Sequence, residues 1–279
     1  MGNDAVPETY EDFERRRWGQ TAADYDRWYT ELTDQTVEPM LDRARVARPV
    51  RCLDLACGVG TLAAKASALG ARVIGVDFAP EMIEQARARH GAGTIDFRVG
   101  NAECLDLPDA SMDAVLMNFG LMHVARPEQV VREASRVLRP GGRFCFTVWA
   151  TPERSVAATI VASAMALAEV PVSMPLGEPF YRFCDPDESR RVLGAAGFIA
   201  DSVVSTEIPL SWRFPEPDAM FQLFATATTR STLVLAAQTE ATRQSIRAAF
   251  ARDLARWRTP DGDFAVPHAA ILVTAVRGA

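Results

Sequence analysis

The stretch "CLDLACGVGTLAAKASALGARVIGVDFAPEM", Cys52 to Met82, decides the fold. An apolar run ends at Ala56, a glycine pair follows at Gly58 and Gly60, and an alanine-rich helical pattern closes on Gly70. A second apolar run, Arg72–Phe78, carries the lone acid Asp77, and Pro80 then opens another helix. Gly58-Val59-Gly60-Thr61-Leu62-Ala63 reads as G-x-G-x-x-A between a strand and a helix. That pattern lets a ligand approach the backbone where a Cβ would block it, facing a helix N-terminus. A tight turn with no ligand is the alternative, so the glycines only locate a candidate site.

Working outward, apolar runs keep alternating with amphipathic helical stretches from about residue 50 to 150. "IDFRVG" reads as a third strand and "DAVLMNFG" as a fourth. Pro127 opens a helix with Val130, Ala134, Val137 and Leu138 on one face, and "RPGG" at Arg139–Gly142 is a turn into a fifth strand, "RFCFTVWA". The strands are apolar on both faces, as a sheet covered by helices on both sides requires. Beyond Trp149 the pattern loosens. Helical segments are expected over about 153–170, 216–237 and 239–257, a helix capped by Asp185 with Pro186 at its first position, a strand near 201–212, and a last strand at "AVPHAAILVTAV".

The chain has 279 residues, 48% hydrophobic and 24% charged, with a formal net charge of −6. It can bury a substantial core without staples, and it has no basic surplus for holding a phosphate backbone, which excludes nucleic acid as an expected partner. Arg15-Arg16-Arg17, preceded by Glu11, Asp12 and Glu14, reads as a solvated helix face. No apolar run approaches membrane-spanning length. The start lacks the apolar centre of a leader peptide, and Val6 stands where myristoylation after Gly2 requires Ser or Thr. Five scattered cysteines without a C-x-x-C pair point to reduced thiols in the cytoplasm, and three dispersed histidines show no metal-ligand spacing.

Asp77 falls where a carboxylate accepts both hydroxyls of a ribose, which suits a dinucleotide and an adenosyl sulfonium alike. Asp54 separates the two. Four residues before Gly58, it would repel a pyrophosphate and welcome a ligand bearing ammonium and sulfonium charge.

Asp54-Leu-Ala-Cys-Gly58-Val-Gly60 resembles the first motif of class I S-adenosylmethionine-dependent methyltransferases. Asp77 resembles their acid after the second strand, Gly100-Asn101-Ala102-Glu103 their loop after the third, Asp113–Asn118 their fourth-strand motif, and Leu138–Gly142 their turn before the fifth. The subgroup resembled is that of small-molecule methyltransferases akin to the enzymes of ubiquinone and menaquinone biosynthesis. The resemblance implies a Rossmann-like, doubly wound α/β fold with a seven-stranded, mostly parallel sheet whose last strand is antiparallel, plus helical cap insertions. It implies a helical lid over 1–48, a cofactor-binding core over 49–150, a cap over 151–184, and the rest of the core over 185–279 with a helical insertion at about 213–260.

Position by position, the resemblance implies that Ala56, Gly58 and Gly60 present backbone to the methionyl and sulfonium side, with Asp54 nearby. Asp77 would hold the ribose, and Phe78 and Met82 would pack about the sugar and base. Ala102 and Glu103 would border the adenine. Asn101 replaces the aspartate frequent there, which weakens the case for an adenine hydrogen bond from its side chain. Asn118 and Phe119 would lie near the methionyl portion. Tyr25, in the aromatic segment "WGQTAADYDRWYTEL", would reach the methionine carboxylate. Ordinary core packing is the alternative for Phe78, Met82 and Phe119, and docking on the sheet edge for the aromatic segment.

Methyl transfer needs alignment, a dry cavity and, for some acceptors, a base. His123, just after the fourth strand at the carboxyl end of the sheet, is the candidate base; the alternative is a histidine bonded to the backbone of its own turn. His90 reads as a helix C-cap, and His268 is given no role. There is no "PPY" after the fourth strand, no Pro-Cys pair and no paired-glutamate loop, which sets aside amine methylation of DNA bases, C5 methylation of cytosine and arginine methylation. Asn118 in place of an acid argues against a metal. A small, partly apolar organic acceptor remains, methylated at O, N or C. Trp149, Phe180, Tyr181, Phe183, Trp212, Phe221 and Phe224 are candidates to line its pocket, with half or more of them core. The competing readings are an NAD(P)-dependent oxidoreductase, which lacks a Tyr-x-x-x-Lys relay here, and a protein of the same fold that binds the cofactor without methylating. A homodimer is the one assembly left open.

Overall fold

The computed structural model describes residues 8–47, 49–91, 93 and 95–279; Gly2 and Val6, on which the lipidation reading rests, lie outside them. The Thr9 hydroxyl accepts from the Asp12 N–H and caps α1 (Tyr10–Asp34). A short α2 (Val37–Ala44) leads into the alternating region. There β1 (Arg51–Leu55), α3 (Thr61–Ala68), β2 (Arg72–Asp77), α4 (Pro80–His90), β3 (Ile95–Val99), β4 (Met112–Asn118), α5 (Pro127–Val137) and β5 (Leu138–Trp149) follow in order. The remainder holds α6 (Val156–Met165), α7 (Pro186–Ala195), β6 (Val204–Phe214), α8 (Ala219–Thr226), α9 (Ser231–Ala237), α10 (Glu240–Leu254) and β7 (Phe264–Val276).

The seven strands form one sheet in the order β3-β2-β1-β4-β5-β7-β6. Strand β7 runs antiparallel to both neighbours, and the other six are mutually parallel. The expected fold class holds. Alternation along the central strands feeds two cores. Leu53, Leu55, Val115 and Met117 pack with Val130, Val131 and Ala134 of α5, while Cys52, Ala114 and Leu116 face Met40 of α2, Ala63 of α3 and Ile83 of α4.

Two local expectations change. The turn at Arg139–Gly142 is absorbed into β5 as a bulge: Met112 pairs with Leu138 and Ala114 already pairs with Arg143. The helix expected over 216–237 breaks into α8 and α9 at a threonine-rich stretch. There the Thr226 and Thr228 hydroxyls bond back to the Gln222 and Phe224 carbonyls, a contact that competes with helix propagation. Arg15 and Arg16 do pair with Asp12 and Glu8 on the solvent side. Arg17 instead reaches the Thr229 carbonyl and the Thr232 hydroxyl, and so ties α1 to the start of α9. No helix among the described residues is long and apolar enough to cross a membrane.

The glycine loop has one structural requirement of its own. Gly60 caps α3 at φ 84°, and a Cβ there would sit 2.6 Å from Cζ of Phe97. Gly60→Ala is expected to lower stability by about 1–3 kcal/mol through left-handed strain alone, with overpacking added. A urea midpoint equal to that of the parent would show that the loop relaxes freely.

Candidate functional site

Neighbouring parallel strands β1 and β4 both end in left-handed, non-glycine residues, Ala56 at φ 52° and Phe119 at φ 53°. Such conformations cost about 1–3 kcal/mol each and persist only where the surroundings enforce them. Phe119 is held by its N–H donating to the Thr147 hydroxyl at 3.0 Å and by stacking on Trp149, centroids 3.8 Å apart. The chain thereby turns off the sheet at two adjacent strand ends and leaves a cleft there, at the edge where open α/β sheets place ligands.

Three adjoining cavities occupy this edge. The first is lined by Ala56, Gly58, Asp77, Phe78, Met82, Asn101, Ala102, Asn118 and Phe119, with Trp18, Tyr25 and His123 on its far wall. Asp77 is buried, and its two oxygens accept from the Gly58 N–H at 2.9 Å and the Ala79 N–H at 3.0 Å. Burial pushes its carboxyl up to about 6 against the opposing pull of those N–H groups. Met82 joins Ala22, Val59 and Ala79 in a small cluster against Trp18, Tyr25 and Phe78, which seats α1 on the loop after β2.

The second cavity lies behind the glycine loop, lined by Asp54, Ala56, Gly58, Thr61, Asp34, Thr33, Tyr25 and Asn118. Asp54 is 1% exposed, and its Oδ2 has no hydrogen-bond partner; Thr61 Oγ1 and Asp34 Oδ1 are likewise unpartnered. Burial raises the Asp54 carboxyl well above the usual range, with the Ala63 N–H pulling the other way. Orphaned buried acceptors are costly, and several on one small cavity suit a cationic group with N–H donors. Gly58, at φ 52° with nothing within 4 Å of a would-be Cβ, borders both cavities. Asn118 does too, but its amide is committed to the protein. Its Oδ1 accepts from Thr36 and Thr147, and its Nδ2 donates to the Thr33 carbonyl.

Two residues expected at the cofactor lie off these walls. Glu103 turns inward: its Oε1 accepts from the Arg126 N–H at 2.8 Å and its Oε2 from Arg126 Nε at 2.6 Å. It braces the start of α5 instead of an adenine. Gly60 serves the turn and the cap of α3. Asn101 borders the first cavity, but its side chain donates to Glu11 at 2.9 Å and accepts from the Glu103 N–H at 2.8 Å. His90 does not cap its own helix. Its Nε2 lies 3.1 Å from the Val59 carbonyl and props the glycine loop from below.

The third cavity, about 340 Å³ in volume, is walled by Trp149, Trp212, Phe180, Tyr181, Phe224, Tyr29 and His268. It shares Trp18, Tyr25, Phe119 and His123 with the first. Of the candidate aromatics, Phe183 and Phe221 are absent from these walls and pack in the core against Phe146 and Phe250.

His123 therefore stands at the junction of two chambers. Its Nδ1 lies 3.2 Å from Oε2 of Glu14, a carboxylate with no solvent exposure that also accepts from Trp18 Nε1 at 3.1 Å. Arg230 Nε, 3.5 Å from the other oxygen, supplies counter-charge. A carboxylate only accepts, so Nδ1 carries the proton and Nε2 keeps its lone pair. Trp18 and Phe180 flank the ring edge-on. Glu14, in α1, and Arg230, in the turn before α9, carry no sequence motif. A helical position at which a fully buried acid meets a histidine 109 residues away has no local signature.

A parallel sheet with a glycine loop, a buried acid at each of its first two strands and a cleft at the carboxyl edge defines a Rossmann-like nucleoside-binding core. Residues 53–146 match the methyltransferase-domain family. The ubiquinone/menaquinone biosynthesis C-methyltransferase of Methylobacterium nodulans is 47% identical over 103 residues, covering 35% of this chain and 41% of that protein. The demethylmenaquinone methyltransferase of Clavibacter sepedonicus is 39% identical over 140 residues, covering 48% of this chain and 56% of that one. The chain thus spans about half the length of the curated relatives it matches. Among solved structures, the [4+2]-cyclase SpnF superposes with TM-score 0.59 at 17% identity, covering 97% of each chain. That likeness extends over nearly the whole chain, and it concerns the fold alone.

Proposed function

We propose that this chain transfers a methyl group from S-adenosylmethionine to a small, largely apolar organic acceptor held in the aromatic chamber, with His123 as the base. The observation that carries the reading is the position of His123, which borders the nucleoside cavity and the aromatic chamber together. The cofactor, when bound, supplies an electrophilic methyl on a sulfonium. Asp54, Thr61 and Asp34 would hold its ammonium end, since their unpartnered oxygens suit N–H donors. Asp77 would accept from the ribose hydroxyls, with Phe78, Met82 and Ala102 about the sugar and base, while Tyr25 and Asn118 would close the methionyl side. Nε2 of His123 would take the acceptor's proton, and Glu14 would orient the ring and stabilise the cation formed. The aromatic walls give the junction a largely apolar lining. Segments 151–184 and 213–260 act as caps that contribute Phe180, Tyr181 and Phe224 to those walls, and the five free thiols, four of them buried, support a reducing cytoplasm as its setting.

Calorimetry against S-adenosylhomocysteine and NAD, followed by labelled methyl transfer to phenols, quinones and amines, tests the proposal. Binding of the first ligand alone, with label passing to an acceptor, is expected. Tight NAD binding without any response to S-adenosylhomocysteine would end it.

The pH dependence follows from Asp77. An unfolded carboxyl titrates at about 3.9, whereas burial holds this one up to about 6. Between those values the folded state keeps a proton that the unfolded chain has released. Its contribution to stability is therefore full below about pH 4 and is lost as pH rises through about 6. Ribose donors need the carboxylate, so ligand binding runs in the opposite direction. The gain in Tm from saturating S-adenosylhomocysteine should grow between pH 5 and pH 7; a gain that is flat over that range would remove Asp77 from the ribose.

A further inference from the structure

His268 projects from β7 into the wall of the aromatic chamber, opposite Leu210 of β6 in register. Its ring is stacked on Trp149, centroids 4.6 Å apart, and tilted against Trp212 at 5.7 Å. Nδ1 is fully occupied on its protein side. The Ala269 N–H donates to it at 2.8 Å, and Ser155 Oγ lies 2.9 Å away while accepting from the Ala158 N–H at the start of α6. A nitrogen that accepts from a backbone N–H carries no proton, so the Ser155 hydroxyl donates to it as well and the proton resides on Nε2. Burial holds the imidazolium off, pushing the ring's titration down to about 4, so it is neutral throughout the physiological range. Nε2 has no partner among the described residues. It is a donor, locked in tautomer and orientation, on a wall made otherwise of aromatic and aliphatic groups.

We propose that His268 is a specificity-determining residue of the acceptor chamber, presenting Nε2–H to a hydrogen-bond-accepting oxygen of the acceptor. This deepens the methyltransferase reading and rests on it. His268 cannot serve as the base, because it does not hold a second proton near neutral pH. It divides the work with His123: one histidine removes a proton, and the other recognises an oxygen. The substrate class is a largely apolar acceptor carrying a carbonyl or hydroxyl oxygen. A chamber that hydrogen-bonds its ligand discriminates against the hydrocarbon analogue, which leaves the donor unpaired.

The near-isosteric pair 1-indanone and indane probes this directly, with binding read from tryptophan fluorescence in protein saturated with S-adenosylhomocysteine. The parent should bind the ketone about tenfold more tightly than the hydrocarbon, the equivalent of one well-made hydrogen bond. His268→Phe should bring that ratio close to one with indane affinity preserved within about twofold. An unchanged ratio in the variant, or no binding of either probe by the parent, overturns the proposal. In the unsubstituted protein, labelled with 15N-histidine, the His268 Nε2 resonance should show a bonded proton at neutral pH and shift with 1-indanone but not with indane. A silent resonance at saturating ketone also overturns it. Failure of S-adenosylhomocysteine to bind at all would instead strike the functional reading beneath, so the two failures are distinguishable.

Discussion

Replacing His123 by alanine is expected to lower turnover by about two to three powers of ten, while affinity for S-adenosylhomocysteine stays within about threefold. The magnitude is that of a positioned general base. The split follows from the geometry, since His123 touches the cofactor cavity only at its junction with the acceptor chamber. Glu14→Gln should lose less, about tenfold, and lose it chiefly in kcat. A neutral amide still occupies the buried site but no longer stabilises the imidazolium formed in the transition state. Acceptor binding separates this role from a packing role: it should survive in His123→Ala while turnover is lost. Intact turnover in the alanine variant would mean that alignment alone suffices for the acceptor concerned.

Asp77→Ala should weaken S-adenosylmethionine binding by one to two powers of ten, because a buried charged acceptor bonded to a diol is removed. A second loss adds to the first: the Gly58 and Ala79 N–H groups that now donate to Asp77 lose their partner, and the glycine loop loses its tether. Asp77→Asn should show both losses. An amide oxygen can still serve one backbone N–H, but the NH2 must face another donor, so loop and ligand both suffer. Calorimetry with the acceptor chamber empty gives the ligand term, and thermal melting of the free protein gives the tether. Unchanged affinity in Asp77→Ala would place the ribose elsewhere.

The first five strands and the helices between them were legible because their signals are local. Gly58, Gly60, Pro80 and Pro127 mark turns and helix starts through backbone sterics that act within a few residues. Asp54 and Asp77 were legible because strand ends at one edge of a parallel sheet share an address, whatever the rest of the fold does. The misreadings have a common cause in partners supplied from afar. In sequence Glu103 has the position of an adenine contact, but Arg126, at the N-terminal end of α5, claims it. His90 was read as a cap, and the Val59 carbonyl claims it instead. His268 was passed over because a histidine in a strand looks like any other strand residue until Trp149, Trp212 and Ser155 close around it. Charge and burial depend on tertiary neighbours, and periodicity carries no information about them.

Tyr25 borders all three cavities. Its ring packs edge-on to Trp18 and flat on Tyr29, and burial pushes its hydroxyl up to about 12, so it stays neutral in the midst of two buried acids. One side chain thus forms a party wall between the three cavities that the proposed reading gives to the ammonium end, the nucleoside end and the acceptor. Whatever fixes that ring when one chamber fills is already fixed when the next one fills. The two substrates are then energetically coupled, and thermodynamic reciprocity makes the coupling equal in both directions. The protein should therefore handle its two ligands as a cooperative pair, each raising the other's affinity by the same factor.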